Sequence, residues 1–271
     1  MRVGFIGLGS QGAPMAQQII DAGYETTLWA RRPASLEPYG DTAARIAASP
    51  VELAQGSDLV CLCVVGDDDI REVVTGPHGL LEGLQSGAVI AIHSTVHPDT
   101  CRDLAATAAE QGVSVIDAPV SGGAPAVAER RLLVMVGGDA DVVARCRPVF
   151  ETYANPVVHL GDVGSGQVSK ILNNLLFTAN LGVAASLFAL GEALGVPSDR
   201  LSEVISAGSA NSFALTSMGG EGNLDRLATL AGSLLQKDVR LAAGLARQCN
   251  ADIGAVFQGA DAALVQMGHQ R

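Results

Sequence analysis

Through the first 160 residues, short apolar runs alternate with longer amphipathic stretches. The apolar runs fall at residues 3–6, 26–29, 59–65, 88–92, 113–116, 132–136 and 157–160. Between them, helical periodicity marks residues 13–22, 99–111 and 140–152. Runs that stay apolar at consecutive positions fit strands covered on both faces. Their alternation with helices predicts a mostly parallel sheet flanked by helices. After Gly161 the strand pattern stops. A long apolar helix reads from about residue 166 to 194, followed by helical stretches at 199–206, 225–249 and 252–267. In these, Leu227, Leu230, Leu234, Leu235, Leu241 and Leu245 form apolar faces that need cover. The expected fold class is α/β: a mostly parallel sheet in residues 1–162, then an all-α domain in 163–271, joined by the long helix. No internal repeat or low-complexity tract interrupts this plan.

A chain of 271 residues can bury the core of two domains. Its 17 basic and 28 acidic residues leave a net charge of −11, which argues against nucleic acid as a partner but leaves room for one local cationic pocket. The cysteines at 61, 63, 101, 146 and 249 are odd in number and lack zinc-ribbon or thioredoxin spacing, so a reduced, cytoplasmic protein is expected. The histidines at 78, 93, 97, 159 and 269 show no HxxxH or HxxE spacing, and no metal is expected. The first strand starts at once, without a charged and then apolar leader, so no signal peptide is expected. Residues 171–190 are the only membrane candidate. They carry Asn173, Asn174, Thr178 and Asn180, which are costly in hydrocarbon, so a buried central helix is the better reading.

The clearest local chemistry follows the first strand. Gly7-Leu8-Gly9-Ser10-Gln11-Gly12 leads directly into a helix, the setting in which G-x-G-x-x-G is a dinucleotide fingerprint of the Rossmann type rather than a plain tight turn. Gly7 makes the turn, Gly9 lets a pyrophosphate approach the backbone, and Gly12 allows helix and strand to pack closely. The second strand ends at Ala30 without the acidic residue that usually binds the ribose of NAD, and Arg31 and Arg32 follow. Guanidinium groups suit a 2′-phosphate, so NADP(H) is preferred, with NAD(H) possible; solvated loop charges are the competing reading. Val64 and Val65, closing the run at 59–65, and Thr95, at the end of the run at 88–92, complete the expected cofactor-binding set. Thr95 can contact the nicotinamide ribose or can open the next helix. Asp67-Asp68-Asp69 resembles a metal-binding run, but helix capping and dipole complementarity account for it. Ser121-Gly122-Gly123 offers one hydroxyl and exposed backbone amides, either a nest for a carboxylate or an ordinary loop. On the long helix, Lys170 and Asn174 are four residues apart and share one face, led in by Gly164 and Gly166. They are either a satisfied polar network or a general acid/base with its substrate-orienting partner, the glycines then allowing a substrate close to the backbone.

Four stretches taken together resemble the β-hydroxyacid dehydrogenase family, which includes 3-hydroxyisobutyrate dehydrogenase, tartronate semialdehyde reductase and glyoxylate/succinic semialdehyde reductases, and is 6-phosphogluconate dehydrogenase-like. Residues 7–16 are similar to its G-L-G-x-M-G-x-x-M-A. Residues 117–123 are similar to D-A-P-V-S-G-G, residues 164–174 to G-x-G-x-x-x-K-x-x-N-N, and residues 237–242 to K-D-L-x-L-A. The resemblance covers essentially the whole chain, in order. It implies that Lys170 is the catalytic acid/base and Asn174 a substrate ligand, and that Ser121, Gly122 and Gly123 hold the substrate carboxylate. It also implies that Lys237 lies near the nicotinamide with Asp238 beside it. Gln11 and Gln18 depart from the family's Met and Asn; Ala126 with Arg130-Arg131 and Phe213 depart around the substrate pocket. The expected activity is an NADP(H)-dependent oxidoreductase acting on a small hydroxy acid, semialdehyde or oxo acid, with no nucleic acid or membrane partner. The apolar helices imply a homodimer or tetramer. Two alternatives stand beside it: an imine reductase on the same scaffold, against which Lys170 counts, and a non-catalytic NADP-binding module acting by interaction.

Overall fold

In a computed structural model, the chain is described over residues 1–219 and 222–271. It divides into two compact units, Met1–Lys170 and Ile171–Arg271. In the first, β1 (Val3–Ile6), β2 (Thr26–Trp29), β3 (Arg45–Ile46), β4 (Leu59–Leu62), β5 (Val89–Ile92) and β6 (Ser114–Asp117) form a parallel sheet in the order β3-β2-β1-β4-β5-β6. The strands are joined through α1 (Gly12–Asp21), α2 (Pro50–Gln55), α3 (Asp67–Thr75) and α4 (Pro98–Ala109). Side chains alternate between the two faces. Phe5, Leu59, Cys61, Val89 and Ala91 join one buried cluster, and Ile6, Val60, Leu62, Ile90 and Ile92 join the other. Apolar residues at every strand position therefore do not blur the period of two; each face has its own core.

The register gathers the chemistry at one edge. Ile6 pairs with Trp29 and with Leu62, Leu62 with Ile92, and Ile92 with Asp117. The segments after β1, β2, β4, β5 and β6 thus leave the sheet on the same row, the carboxyl edge where such sheets bind ligands.

The last strands of this unit form a separate small sheet, in which β7 (Val120–Ser121) runs antiparallel and β9 (Ala154–His159) parallel to β8 (Leu132–Val136). The hydrophobic pattern does not reveal β3 or β7. Both residues of β3 are exposed, and β7 is two residues long directly after Pro119, so neither has a pattern to show. The short helix α5 (Gly123–Ala128) follows β7, and α6 (Ala140–Phe150) follows β8.

The second unit is helical. The long helix α7 (Ser165–Ala193) starts in the first unit and runs on into it, followed by α8 (Ser198–Ala207), α9 (Phe213–Ser217), α10 (Asp225–Gln248) and α11 (Gly254–Gln266). Ile171, Leu175, Leu181 and Phe188 of α7 are buried with Leu235 and Val239 of α10 and Leu264 of α11. A Cβ at Gly182 would meet the Gly259 carbonyl and, at 2.8 Å, the Ala263 nitrogen, so α7 and α11 cross where neither has bulk. α7 is long and apolar enough to cross a bilayer, but half of its apolar window is buried inside the protein.

One buried polar group in the first unit makes stability depend on pH. His93, directly after β5, lies between Phe5 and Phe150. Its Nδ1 donates to the Ala118 carbonyl at 2.7 Å, and the Tyr153 hydroxyl donates to its Nε2 at 3.2 Å. Burial pushes its pKa down from 6.5 to about 4, against the pull of the Ala118 carbonyl. Between those values the unfolded chain binds the extra proton and the folded chain does not. Stability is therefore held above about pH 6.5 and lost as pH falls toward 4, by on the order of 3 kcal/mol. In urea titrations across this range the wild-type unfolding free energy should fall more steeply than that of His93→Gln; parallel curves would show that His93 is not the group responsible.

Candidate functional site

The glycine turn shows three different steric reasons for its three glycines. Gly7 has a φ of 101°, and a Cβ there would collide with the Cys63 carbonyl. Gly9 has open space where its Cβ would be. At Gly12 a Cβ would run into the Gly7 carbonyl and stand 3.1 Å from the Phe5 ring and from Cys63 Cβ, so α1 could not seat on β1 and β4. Turn, open approach and close packing are thus divided among Gly7, Gly9 and Gly12. α1 starts with no acidic residue in its first turn, and Gln11 at its cap turns its amide to Met15 Sδ at 3.8 Å instead of bonding the backbone. A helix start of this kind leaves backbone N–H groups and the positive end of the dipole to an anion.

Beside this turn lies a cleft of about 310 Å³ at the point where strand order reverses between β1 and β4. Leu8 and Gly9, Arg31 and Arg32, and Val64 and Val65 line it, each pair following a different strand. Of the residues expected to bind a cofactor after β1, β2 and β4, Gly7, Leu8, Gly9, Arg31, Arg32, Val64 and Val65 line this cleft, whereas Ser10, Gln11 and Gly12 do not. Arg31 is exposed and forms ion pairs with Asp69 at 3.1 Å and Glu72 at 3.7 Å, both on α3. Ser94 Oγ accepts the Val64 backbone N–H at 2.8 Å and fixes the ends of β4 and β5 to each other. Thr95, half-buried between buried Ser94 and Val96, does not cap α4; the His97 side chain does, accepting the Asp99 N–H at 3.2 Å.

A second constellation holds the start of α7. Asp117, fully buried at the last position of β6, accepts backbone N–H groups from Gly164 at 2.6 Å and Gln167 at 2.7 Å. Burial pushes its pKa up, against backbone hydrogen bonds that hold it down. The Gln167 side chain bridges back to β5's exit, donating to the Ser94 carbonyl at 2.8 Å and accepting the Val96 N–H at 3.1 Å. Gly166 has no room for a side chain: its Cβ would strike the Met135 carbonyl and stand 2.8 Å from Asp117 Oδ2. The glycines at 164 and 166 are expected to admit a substrate, but the structure spends Gly166 on packing, and a Cβ at Gly164 would stand 3.0 Å from the Arg102 guanidinium. Lys170 follows one turn after Gln167 and is 8% exposed.

Farther along α7, Asn174 Nδ2 donates to Asp238 Oδ2 of α10 at 2.5 Å, and Asn173 donates to Asn174 Oδ1 at 3.1 Å. Lys237 Nζ lies 3.7 Å from Asp238 Oδ1. Asp238, almost fully buried, thus joins Asn174 to Lys237. Phe213, at the start of α9, is 72% exposed with its ring 6.1 Å from that of Phe177. Ser121 ends β7, and Gly122 and Gly123 follow with φ of 131° and 70°, so that a Cβ at Gly122 would stand 2.6 Å from Ala126 Cβ. Arg131 pairs with Glu129 and Arg130 donates to Gln18 at 3.2 Å; both are exposed. Two of the three acids after β4 are engaged by the protein: Asp67 accepts the His97 N–H at 2.8 Å and the Thr100 hydroxyl at 2.6 Å, and Asp69 holds Arg31. Reading the sequence for chemistry misses Asp117 and Gln167 as positioning groups. A buried carboxylate next to an apolar strand end was the available signal for the first; a glutamine in an apolar helix was a faint one for the second.

Comparison with known proteins gives consistent matches along the whole chain. Residues 2–161 match the family profile described as the NAD binding domain of 6-phosphogluconate dehydrogenase, and residues 164–270 match that described as NAD-binding of NADP-dependent 3-hydroxyisobutyrate dehydrogenase. An NAD-dependent L-serine dehydrogenase from Pseudomonas aeruginosa is 34% identical over 214 residues, 79% of this chain and 72% of that one. A 3-hydroxyisobutyrate dehydrogenase from the same organism is 33% identical over 213 residues, again 79% and 72%. The solved structure of Mycobacterium tuberculosis 3-hydroxyisobutyrate dehydrogenase with L-serine superposes with a TM-score of 0.84 at 26% identity, covering 100% of this chain and 96% of that one.

The buried Asp117 cap generates a stability prediction. Asp117→Ala leaves the Gly164 and Gln167 amides without their acceptor and should cost about 2 kcal/mol. Asp117→Asn keeps one acceptor oxygen and should lose roughly half of that. Equal denaturation midpoints for wild type and Asp117→Ala would show that the carboxylate does not hold the helix start.

Proposed function

Because the chain belongs to the β-hydroxyacid dehydrogenase family and is a nicotinamide-dependent oxidoreductase, we propose that it prefers NADP(H) and interconverts a small hydroxy acid with its oxo acid or semialdehyde, using Lys170 as acid/base. The observation that carries the reading is Lys170 itself: an amino group almost withdrawn from water, one turn into a helix whose start is pinned by a buried carboxylate. When bound, the cofactor supplies the redox chemistry by taking up or returning a hydride. As the neutral amine Lys170 takes the hydroxyl proton at the substrate oxygen in oxidation, and as the ammonium so formed it gives a proton to that oxygen in reduction. The Ser121 hydroxyl and the Gly122 and Gly123 amides, in a turn that only glycine adopts readily, hold the substrate carboxylate. Asn174 orients the substrate, its own amide fixed by Asp238. In the same reading Lys237, paired with Asp238, serves the cofactor, and Phe213, beside Phe177, serves the substrate.

The glycine turn and the uncapped start of α1 fit the pyrophosphate, with Ser10 and Gln11 between Gly9 and Gly12 and with Thr95 at the ribose beside the nicotinamide. Arg31 and Arg32, in the cleft and in place of a carboxylate after β2, favour a 2′-phosphate. The relatives' names, which include 3-hydroxyisobutyrate and L-serine, favour a three- or four-carbon acid with a β-hydroxyl. All five cysteines are free thiols, which suits the reducing cytoplasm. Leu172, Leu176, Val183, Leu187, Leu190 and Leu194 stand exposed along α7 and the turn after it, at spacings of three, four and seven. Such a stripe on one long helix is suited to a second copy of this chain.

Lys170→Ala should lower kcat for oxidation of a short β-hydroxy acid about 10²- to 10⁴-fold, with the NADP⁺ dissociation constant within twofold of wild type. A variant of undiminished kcat would remove Lys170 from the chemistry. In light scattering at micromolar concentration the wild type should be a dimer or larger, and Leu176→Asp with Leu187→Asp should shift it toward the monomer. A monomeric wild type would end the proposal of a covered stripe.

A further inference from the structure

We propose that Asp69 is a cofactor-specificity residue: its carboxylate competes with a ribose 2′-phosphate for the Arg31 guanidinium and so weakens binding of NADP(H) relative to NAD(H). The inference rests on the reading that Arg31 meets that phosphate, and it sets a limit to the preference which that reading implies.

The argument begins with α3. Its first turn is Asp67-Asp68-Asp69, a composition that suits the positive end of a helix dipole. The three acids do different things. Asp67 is turned to α4, where it holds His97 and Thr100. Asp68 is exposed. Asp69 lines the cofactor cleft and reaches Arg31 Nη1 at 3.1 Å. Glu72, three residues on and therefore on the same helix face, reaches the same nitrogen at 3.7 Å. Asp69 is the stronger partner, being closer and 25% exposed against 69% for Glu72.

The cleft that carries Arg31 and Arg32 thus also carries two carboxylates. A phosphate monoester at neutral pH has between one and two negative charges. To engage Arg31 it must take Nη1 from Asp69 or share it, with like charges drawn together. A 2′-hydroxyl imposes neither condition: Arg31 stays on Asp69. The ion pair is partly exposed, so the competition has the size of a surface salt bridge, a factor of about two to five in affinity, and it weakens with added salt.

Titration calorimetry with NADP⁺ and with NAD⁺, at low ionic strength and without substrate, tests this directly. Asp69→Asn should tighten NADP⁺ about two- to fivefold and leave NAD⁺ unchanged. In an Arg31→Ala background the same substitution should tighten NADP⁺ clearly less, because the contested group is gone and only the repulsion between carboxylate and phosphate is left to relieve. Asp68→Asn, an equal loss of charge on the same turn, should change neither affinity. The proposal is overturned if Asp69→Asn fails to tighten NADP⁺, if the tightening is undiminished in the Arg31→Ala background, or if Asp68→Asn reproduces it. Arg31→Ala separates the two levels. If it leaves NADP⁺ affinity at the wild-type value, the assignment of Arg31 to the phosphate falls and this inference with it. If it weakens NADP⁺ while Asp69→Asn does nothing, only the competition is wrong.

Discussion

Asp117 closes β6 with a carboxylate that water does not reach, and both of its oxygens are taken by the backbone of another element, the start of α7. A charge in such a place is tolerated because hydrogen bonds replace its hydration, and those bonds are available only if the first turn of α7 stands directly against the strand end. Gly166 makes that approach possible, since any side chain there would meet Met135 and Asp117 itself. Gln167 then fastens the same turn to the exit of β5 through two further bonds. The rotational setting of the first turns of α7, as far as Lys170, follows from these contacts. With it follows the direction taken by Lys170, one turn later.

The same economy of backbone contacts governs the cofactor edge. Five parallel strand ends stand in register, so the segments that leave them emerge together. Glycine is then needed wherever two of these segments press on each other. Gly7 lies against the Cys63 carbonyl, and Gly12 fits between the turn and Phe5. Gly9 differs, facing free space, and this is what a site for an approaching phosphate requires. The hydroxyl of Ser94 ties the exits of β4 and β5 and leaves Thr95 partly exposed beside them.

Charge in the two polar clusters is arranged by opposition. In the cleft, acids of α3 stand across from the arginine that follows β2. In the helical unit, Asp238 is held between an amide and an ammonium. In each case a carboxylate limits where a functional cation or amide can point. Two of these pairings, Arg31 with Asp69 and Asn174 with Asp238, join residues tens of positions apart, and the strength of each pairing depends on its burial.

Local pattern was enough to determine much of this protein. Seven apolar runs, the loss of the strand pattern after Gly161 and the long helix from about residue 166 were all legible, because burial on both sheet faces and helical periodicity leave direct marks on neighbouring residues. So was the glycine turn, whose three positions are spaced by the geometry of a single βα unit. Strands β3 and β7 were not legible: two residues at an edge bury too little to show a period. The separation of β7, β8 and β9 from the main sheet was equally hidden, since an apolar strand reads the same in either sheet. Only the tertiary structure decided that Gly166 serves packing, that Asp117 caps α7, and that Asp69 faces Arg31. These depend on which strand end lies beside which helix start. That is settled by the register of hydrogen bonds across the sheet, a relation between residues far apart in the chain that no local window contains.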